Sequence, residues 1–172
     1  PVIGTNGRIG LTYETGSWPV EPPAAWLEHD DFNQTELDPV WNFYRNPAEG
    51  SWSLTDRPGW LTLYGQACAL DEFGSPAFVG RRQQHLKCEI STYLEFEPEQ
   101  DGEEAGLTVF MNEHYHYDLC KIRQQGRNFI RLRRRIGSLW KVEHEIAYGA
   151  SGVELGISAV DEEYTFWIKS PD

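Results

Sequence analysis

Phe129-Ile130-Arg131-Leu132-Arg133-Arg134-Arg135-Ile136-Gly137-Ser138-Leu139-Trp140-Lys141-Val142-Glu143-His144-Glu145-Ile146 decides how this chain reads. Its basic run looks like a phosphate-binding patch until strand alternation is applied, which sends Arg131, Arg133 and Arg135 to one side. On the following strand Lys141, Glu143 and Glu145 share one side, and Trp140, Val142, His144 and Ile146 the other. A three-residue loop, Ile136-Gly137-Ser138, sets Leu132 against Val142, Arg131 against Glu143, and Arg134 against Trp140 as a cation–π pair. A two-residue loop would set Leu132 against Glu143 and mix the faces, so the alternation predicts the odd loop. The run then reads as the salt-bridged outer face of a hairpin, not as a nucleic-acid site.

The same period of two recurs outward from this hairpin. Alternating runs occupy Ala77–Arg82, Leu86–Phe96, Leu107–Met111, Tyr115–Arg123, Val153–Val160 and Tyr164–Ile168. Nearer the start, Trp52-Ser53-Leu54-Thr55, the turn Asp56-Arg57-Pro58-Gly59, and Trp60-Leu61-Thr62-Leu63-Tyr64 form a strand–turn–strand signature. No capped apolar stripe of helical period exceeds about two turns. Ten or so short strands at intervals of roughly 8–12 residues predict an all-β antiparallel sandwich of the jelly-roll kind.

The 172 residues suffice for one such domain, and seven Trp, eight Tyr and eight Phe supply a core. Disorder, collagen and coiled coil are excluded by this composition. A net charge of −12 opposes phosphate backbones, and no stretch approaches the roughly 20 apolar residues of a membrane helix. Neither nucleic acid nor membrane is therefore an expected partner. No leader opens the chain, which leaves cytoplasm and exterior both open. The only Met is Met111, so the chain reads as a piece of something longer. Residues 1–29, punctuated by Gly4, Gly7, Gly10, Gly16, Pro19, Pro22 and Pro23, read as a short strand and a Pro-rich linker, with the sandwich at 30–172. At the other end, Lys169-Ser170-Pro171-Asp172 reads as a hairpin turn whose returning strand is absent, which would leave Tyr164–Ile168 with an open edge. Cys68, Cys88 and Cys120 show neither a disulfide framework nor zinc spacing, although one bridge among them is an alternative to three small apolar residues.

Few residues invite chemistry. The segment Glu95-Phe96-Glu97-Pro98-Glu99-Gln100 approaches the Glu-x-Asp-x-x-Glu pattern of sandwich glycosidases, fails at its last position, and reads as a strand running into a solvated acidic loop. No cofactor is expected. Calcium held by Asp101, Glu103 and Glu104 is the sharper alternative for that loop, which lacks EF-hand spacing. His114, His116 and Asp118 fall on one strand face, a pair that could chelate a metal but has no third His nearby. The plainer expectation is a half-buried strand with His on its wetter face, where sugar could touch. Of Trp41, Trp52, Trp60, Trp140 and Trp167, alternation cannot say which form a core and which a carbohydrate platform. The candidate contacts for sugar or a second domain are His114, His116 and Trp140; no nucleophile elbow or phosphate loop occurs.

Several segments carry a resemblance that covers roughly residues 28–172. They are Asp30-Asp31-Phe32, Leu37-Asp38-Pro39-Val40-Trp41, Tyr44-Arg45-Asn46-Pro47, Trp52-Ser53-Leu54, Arg57-Pro58-Gly59-Trp60-Leu61, Gly74-Ser75-Pro76-Ala77-Phe78-Val79-Gly80-Arg81-Arg82-Gln83-Gln84-His85 and Glu104-Ala105-Gly106-Leu107-Thr108-Val109-Phe110-Met111-Asn112-Glu113. Together they resemble the C-terminal concanavalin A-like domain of β-xylosidases of glycoside hydrolase family 43, and residues 1–20 resemble the closing strand of that family's catalytic propeller. The resemblance implies an accessory sandwich of a xylan-degrading glycosidase. It would pack on a five-bladed propeller that bears the catalytic carboxylates and inverts xylosides or arabinosides, and help to shape the substrate pocket. Xylo-oligosaccharide or arabinoside is the implied substrate and the propeller the implied partner; calcium would belong to the parent enzyme. No catalytic residue is carried over, because the family's acid and base lie on the propeller. The aromatic loop lent to the active site lies beyond the point matching Asp172. A lectin-like module that holds a glycan is the alternative, and a third reading gives the domain only stability and homo-oligomer assembly.

Overall fold

The computed structural model describes residues 28–171, so the strand and linker expected at 1–29 fall outside the described residues but for Glu28 and His29. Eleven antiparallel strands follow, β1(Trp41–Phe43), β2(Trp52–Ser53), β3(Thr62–Leu63), β4(Val79–Arg81), β5(Lys87–Glu95), β6(Glu104–Asn112), β7(Tyr115–Gln124), β8(Arg127–Ile136), β9(Leu139–Ala147), β10(Gly152–Val160) and β11(Glu163–Lys169). Strands β6-β7-β8-β9 form a meander, and β11-β10-β5 form a second sheet with β10 at its centre. Two short pairs, β1-β4 and β2-β3, lie outside these sheets.

The expected alternation produces the core. On the meander Leu107, Leu119, Ile130 and Leu132 fall on one face, because Leu107 stands opposite Leu119 and Leu119 opposite Leu132. They pack against Leu94, Val153, Leu155, Phe166 and Ile168 of the second sheet. Val153 and Leu155 are fully buried, and each stabilises the fold by about 1.5–3 kcal/mol relative to an exposed side chain. Tyr148 closes one end of this core, with its hydroxyl donating to the Gly152 carbonyl at 2.8 Å. The fold is thus the antiparallel β-sandwich that the sequence predicts.

The turns explain one departure. Gln125 and Gly126, both at positive φ (51° and 74°), make the type I′ turn between β7 and β8. Between β8 and β9 only Gly137 is positive, at 61°, which fits a two-residue type II′ turn of Gly137 and Ser138 with Ile136 opposite Leu139. The three-residue loop inferred from alternation is therefore incorrect. A bulge between Val142 and His144 absorbs Glu143 instead, so that Leu132 meets His144 and Arg131 meets Glu145. The bulge splits the apolar side expected for β9: His144 and Ile146 stay opposite Leu132 and Ile130, whereas Val142 and Trp140 stand opposite Arg133 and Arg135. As a consequence Arg134 stands opposite Lys141 and not Trp140, and Arg133 takes the cation–π place, with its guanidinium 4.8 Å from the Trp140 ring.

The segment before β5 is mostly loop. The expected Trp52–Tyr64 hairpin exists as the short β2-β3 pair, and its type II turn lies one residue later than expected. There Trp60 N donates to Arg57 O at 3.1 Å across Pro58 and Gly59 (φ 81°). Aromatic contacts order this segment: Phe43 with Trp52 at 5.4 Å, and Tyr44 and Phe78 on Phe110 of β6 at 4.8 and 5.3 Å. Phe110 points away from the sandwich core, so these loops cover part of the meander's second face. Cys68, Cys88 and Cys120 are all free, which settles the cysteines as unbridged.

Candidate functional site

Register assembles the second face of the meander. Phe110 stands opposite His116, Thr108 opposite Asp118, Asp118 opposite Arg133, and Arg133 opposite Val142. Two adjacent rows of positions thus bring together groups from four strands. Asp118, buried at their centre, accepts from His116 Nδ1 at 2.9 Å, from Thr108 Oγ1 at 2.8 Å and from Arg133 Nε at 2.9 Å. The remaining nitrogens of Arg133 form a fork onto the Glu104 carboxylate. Burial alone would raise the Asp118 carboxyl, but the hydrogen bonds from His116 and Arg133 and the Arg133 charge outweigh it and hold the group below the usual carboxylate range. Burial likewise opposes the Arg133 charge, and Glu104 more than compensates. Cys120 is pushed up to about 12, first by burial and then by Glu104, so it is an inert thiol.

The structure unites two of the three residues singled out from sequence. His116 is 2% exposed and meets Trp140 edge to face, with ring centroids 6.2 Å apart. Its Nδ1 faces the carboxylate, and its buried Nε2 has no hydrogen-bonding partner. His114 lies apart, exposed in the turn before β7, where its ring meets Arg135 Nη2 at 3.0 Å. The expectation of a wetter face fails for His116, because Phe110, Trp140 and the aromatic loops cover it. Arg133 likewise is buried instead of lying on an outer salt-bridged face, whereas Arg131 keeps that role in a 2.5 Å pair with Glu145. Among the described residues no group of three His, Cys, Asp or Glu side chains could hold a metal. The acids considered for calcium are each engaged: Asp101 accepts from Gly126 N, Glu103 from Glu99 N and Gln100 N, and Glu104 binds Arg133. Of the five Trp weighed, Trp140 is the exposed one, at 41%, and the other four are half-buried.

Sequence reasoning missed two features. Lys121 is fully buried on the core face, with Nζ donating to the carbonyls of Phe96 (2.6 Å), Ala150 (2.7 Å) and Ser151 (3.2 Å) and to Glu97 Oε1 (3.0 Å). Its phase with Leu119 was the available signal. The second feature is a loop held from both sides. Arg135 Nη1 binds Asp71 at 2.7 Å, and Arg45 Nη1 binds the Gly74 carbonyl at 2.7 Å while its Nη2 pairs with Glu113 at 3.3 Å.

The family model of the β-xylosidase C-terminal concanavalin A-like domain matches residues 29–170. The "Non-reducing end alpha-L-arabinofuranosidase BoGH43B" of Bacteroides ovatus is 37% identical over 168 residues, covering 95% of this chain and 32% of that protein. A "Putative beta-xylosidase" of Escherichia coli is 38% identical over 95 residues, 55% of this chain and 17% of that one. Among solved structures, the "Bacteroides ovatus Xyloglucan PUL GH43B" superposes with a TM-score of 0.82 at 36% identity, over 97% of this chain and 33% of the other. The "xylan beta-1,4-xylosidase from Bacillus Halodurans C-125" gives 0.81 at 29% identity, over 89% of this chain and 30% of the other. The chain thus spans about a third of the length of the first of these relatives. With its meander, its second sheet and its matched span, this chain belongs to the β-xylosidase C-terminal concanavalin A-like domain family of the family 43 glycoside hydrolases.

Proposed function

We propose that this domain is the accessory sandwich of a xylan-degrading glycosidase of the β-xylosidase or arabinofuranosidase type. It packs on a catalytic propeller and helps to complete the substrate pocket. In this reading residues 1–29 are the end of the propeller and its linker, and 30–172 the sandwich. The family match over 29–170, on a chain a third as long as its relative, carries the proposal. The state of the acids around Arg133 supports it. Glycoside cleavage needs two carboxyl groups about 5–9.5 Å apart, one of them a general acid kept protonated. Asp118 and Glu104 instead share Arg133, and Asp118 is held ionised.

The test is hydrolysis of aryl β-xyloside and aryl α-arabinofuranoside. The 172-residue chain is expected to turn over neither. Turnover abolished by replacing its own carboxylates would overturn the proposal. Titration with xylo-oligosaccharides, followed by Trp fluorescence, is expected to give no change at millimolar ligand. A saturable change would favour a glycan-holding module.

A further inference from the structure

We propose that Phe73 is the aromatic anchor by which this sandwich docks on the catalytic module. The inference rests on the packing role given above and names the residue that performs it. Phe73 is 85% exposed, the most exposed large apolar side chain among the described residues, with Met111 next at 79%. A ring so exposed is ordinarily found on a mobile tip, yet the backbone on either side of this one is tied down. Arg135 fixes Asp71, two residues before it, and Arg45 fixes the Gly74 carbonyl immediately after it. The Arg45 guanidinium also lies 5.5 Å from the Phe73 ring centroid and 4.8 Å from that of Tyr44. Cys68 closes the loop from beneath: a Cβ on Gly74 would sit 2.2 Å from its Sγ.

The support itself is strained. Arg45 has φ 65°, a left-handed conformation that a residue with a side chain adopts at a cost in energy. Such strain persists where surrounding contacts over-determine it and is concentrated at working sites. A pre-ordered ring loses little entropy on binding, and rigid buried aromatics dominate interface energies.

The collar suits burial against protein. Asp71 is paired with Arg135 and Arg45 with Glu113, so these collar charges need no new partner when water leaves, and Glu72 Oε2 accepts from Ala69 N at 3.0 Å. The occupant is an apolar cleft about one phenyl ring wide on the catalytic module. The room for it lies in the length of the relatives, since this chain accounts for 32% of one and 33% of another.

Calorimetry on the two-module polypeptide tests this. The wild type is expected to unfold in one coupled transition. Phe73→Asp should lose that coupling and show two transitions, while Phe73→Leu retains it. The same F73D change in the 172-residue chain should leave its own unfolding temperature within about 2 °C, since an exposed side chain contributes little to its own fold. A single coupled transition in the F73D two-module polypeptide would overturn the anchor while leaving the packing role standing. Two transitions already in the wild type would overturn both. Loss of a dimer by sedimentation, with coupling unchanged, would assign Phe73 to a second copy of the chain and overturn the proposed occupant.

Discussion

At the scale of the residue, Asp118 and Lys121 are the side chains whose charge the fold has committed itself to. The Asp118 carboxyl sits below its ordinary value, so its contribution to stability is present above the unfolded value of about 3.9 and is lost as pH falls through the folded one. Urea midpoints measured from pH 7 to pH 2.5 should therefore decline below about pH 4. Asp118→Asn should remove part of that decline and lower stability at pH 7 by about 3 kcal/mol, because Arg133 and His116 lose an ionised partner. An unchanged acid slope in the variant would refute the assignment. Lys121 presents the opposite charge in the core. Its ammonium satisfies three carbonyls at the junction of β5, β7 and β10, and Lys121→Met would remove this donor from Phe96 O and Ala150 O, while Ser151 O keeps Phe96 N at 3.3 Å. The expected cost is about 3 kcal/mol by denaturant midpoint, larger than for the surface change Lys141→Met at near zero.

At the scale of the element, close approach makes single atoms decisive. A Cβ on Gly156 would meet the Trp167 ring at 2.0 Å, because that indole lies across the central strand β10. Gly156→Ala should cost about 1–3 kcal/mol, and combination with Trp167→Ala should cost less than the sum of the two, a coupling read from the four unfolding free energies. Gly137 illustrates what the sequence could and could not disclose. Gly-Ser between two alternating runs is itself a two-residue turn signal, and the strands on either side were legible from alternation alone. The bulge at Glu143 was not legible, since a two-against-one count leaves no trace in a one-dimensional pattern. For the site, His116 and Asp118 at i and i+2 were readable as neighbours on one face. Alternation tells which side chains share a face but not whether another layer covers it, and so Arg133 was assigned to solvent while loops 44–78 in fact help to bury its surroundings. The strands in and beside those loops have only two or three residues, so periodicity could mark the β2-β3 hairpin and β4 but not how the loops between them pack on the meander.

At the scale of the whole molecule, burial is distributed unequally between the strands, and that inequality predicts a hierarchy of opening. Six of the ten residues of β7 and six of the nine of β10 are buried, and each strand is flanked on both edges. Strand β9 pairs only with β8, and all nine of its residues are exposed, including Leu139, Trp140, Val142 and Ile146. Little apolar burial thus resists the separation of β9, whereas releasing β7 or β10 dismantles the core. Amide exchange under native conditions should show β9 opening locally, with hydrogen-bonded amides on the order of 100-fold or more faster than those of β7 and β10, which should exchange only by global unfolding. The bulge at Glu143 and the charges of Lys141, Glu143 and Glu145 keep so apolar an edge from pairing with another chain. Glu143→Val should therefore promote self-association, readable as concentration-dependent sedimentation, while exchange in β7 and β10 stays slow. Equal protection of β9 and β7 in the isolated chain would show that the meander opens as one unit, and that the exposure of its last strand does not govern its stability.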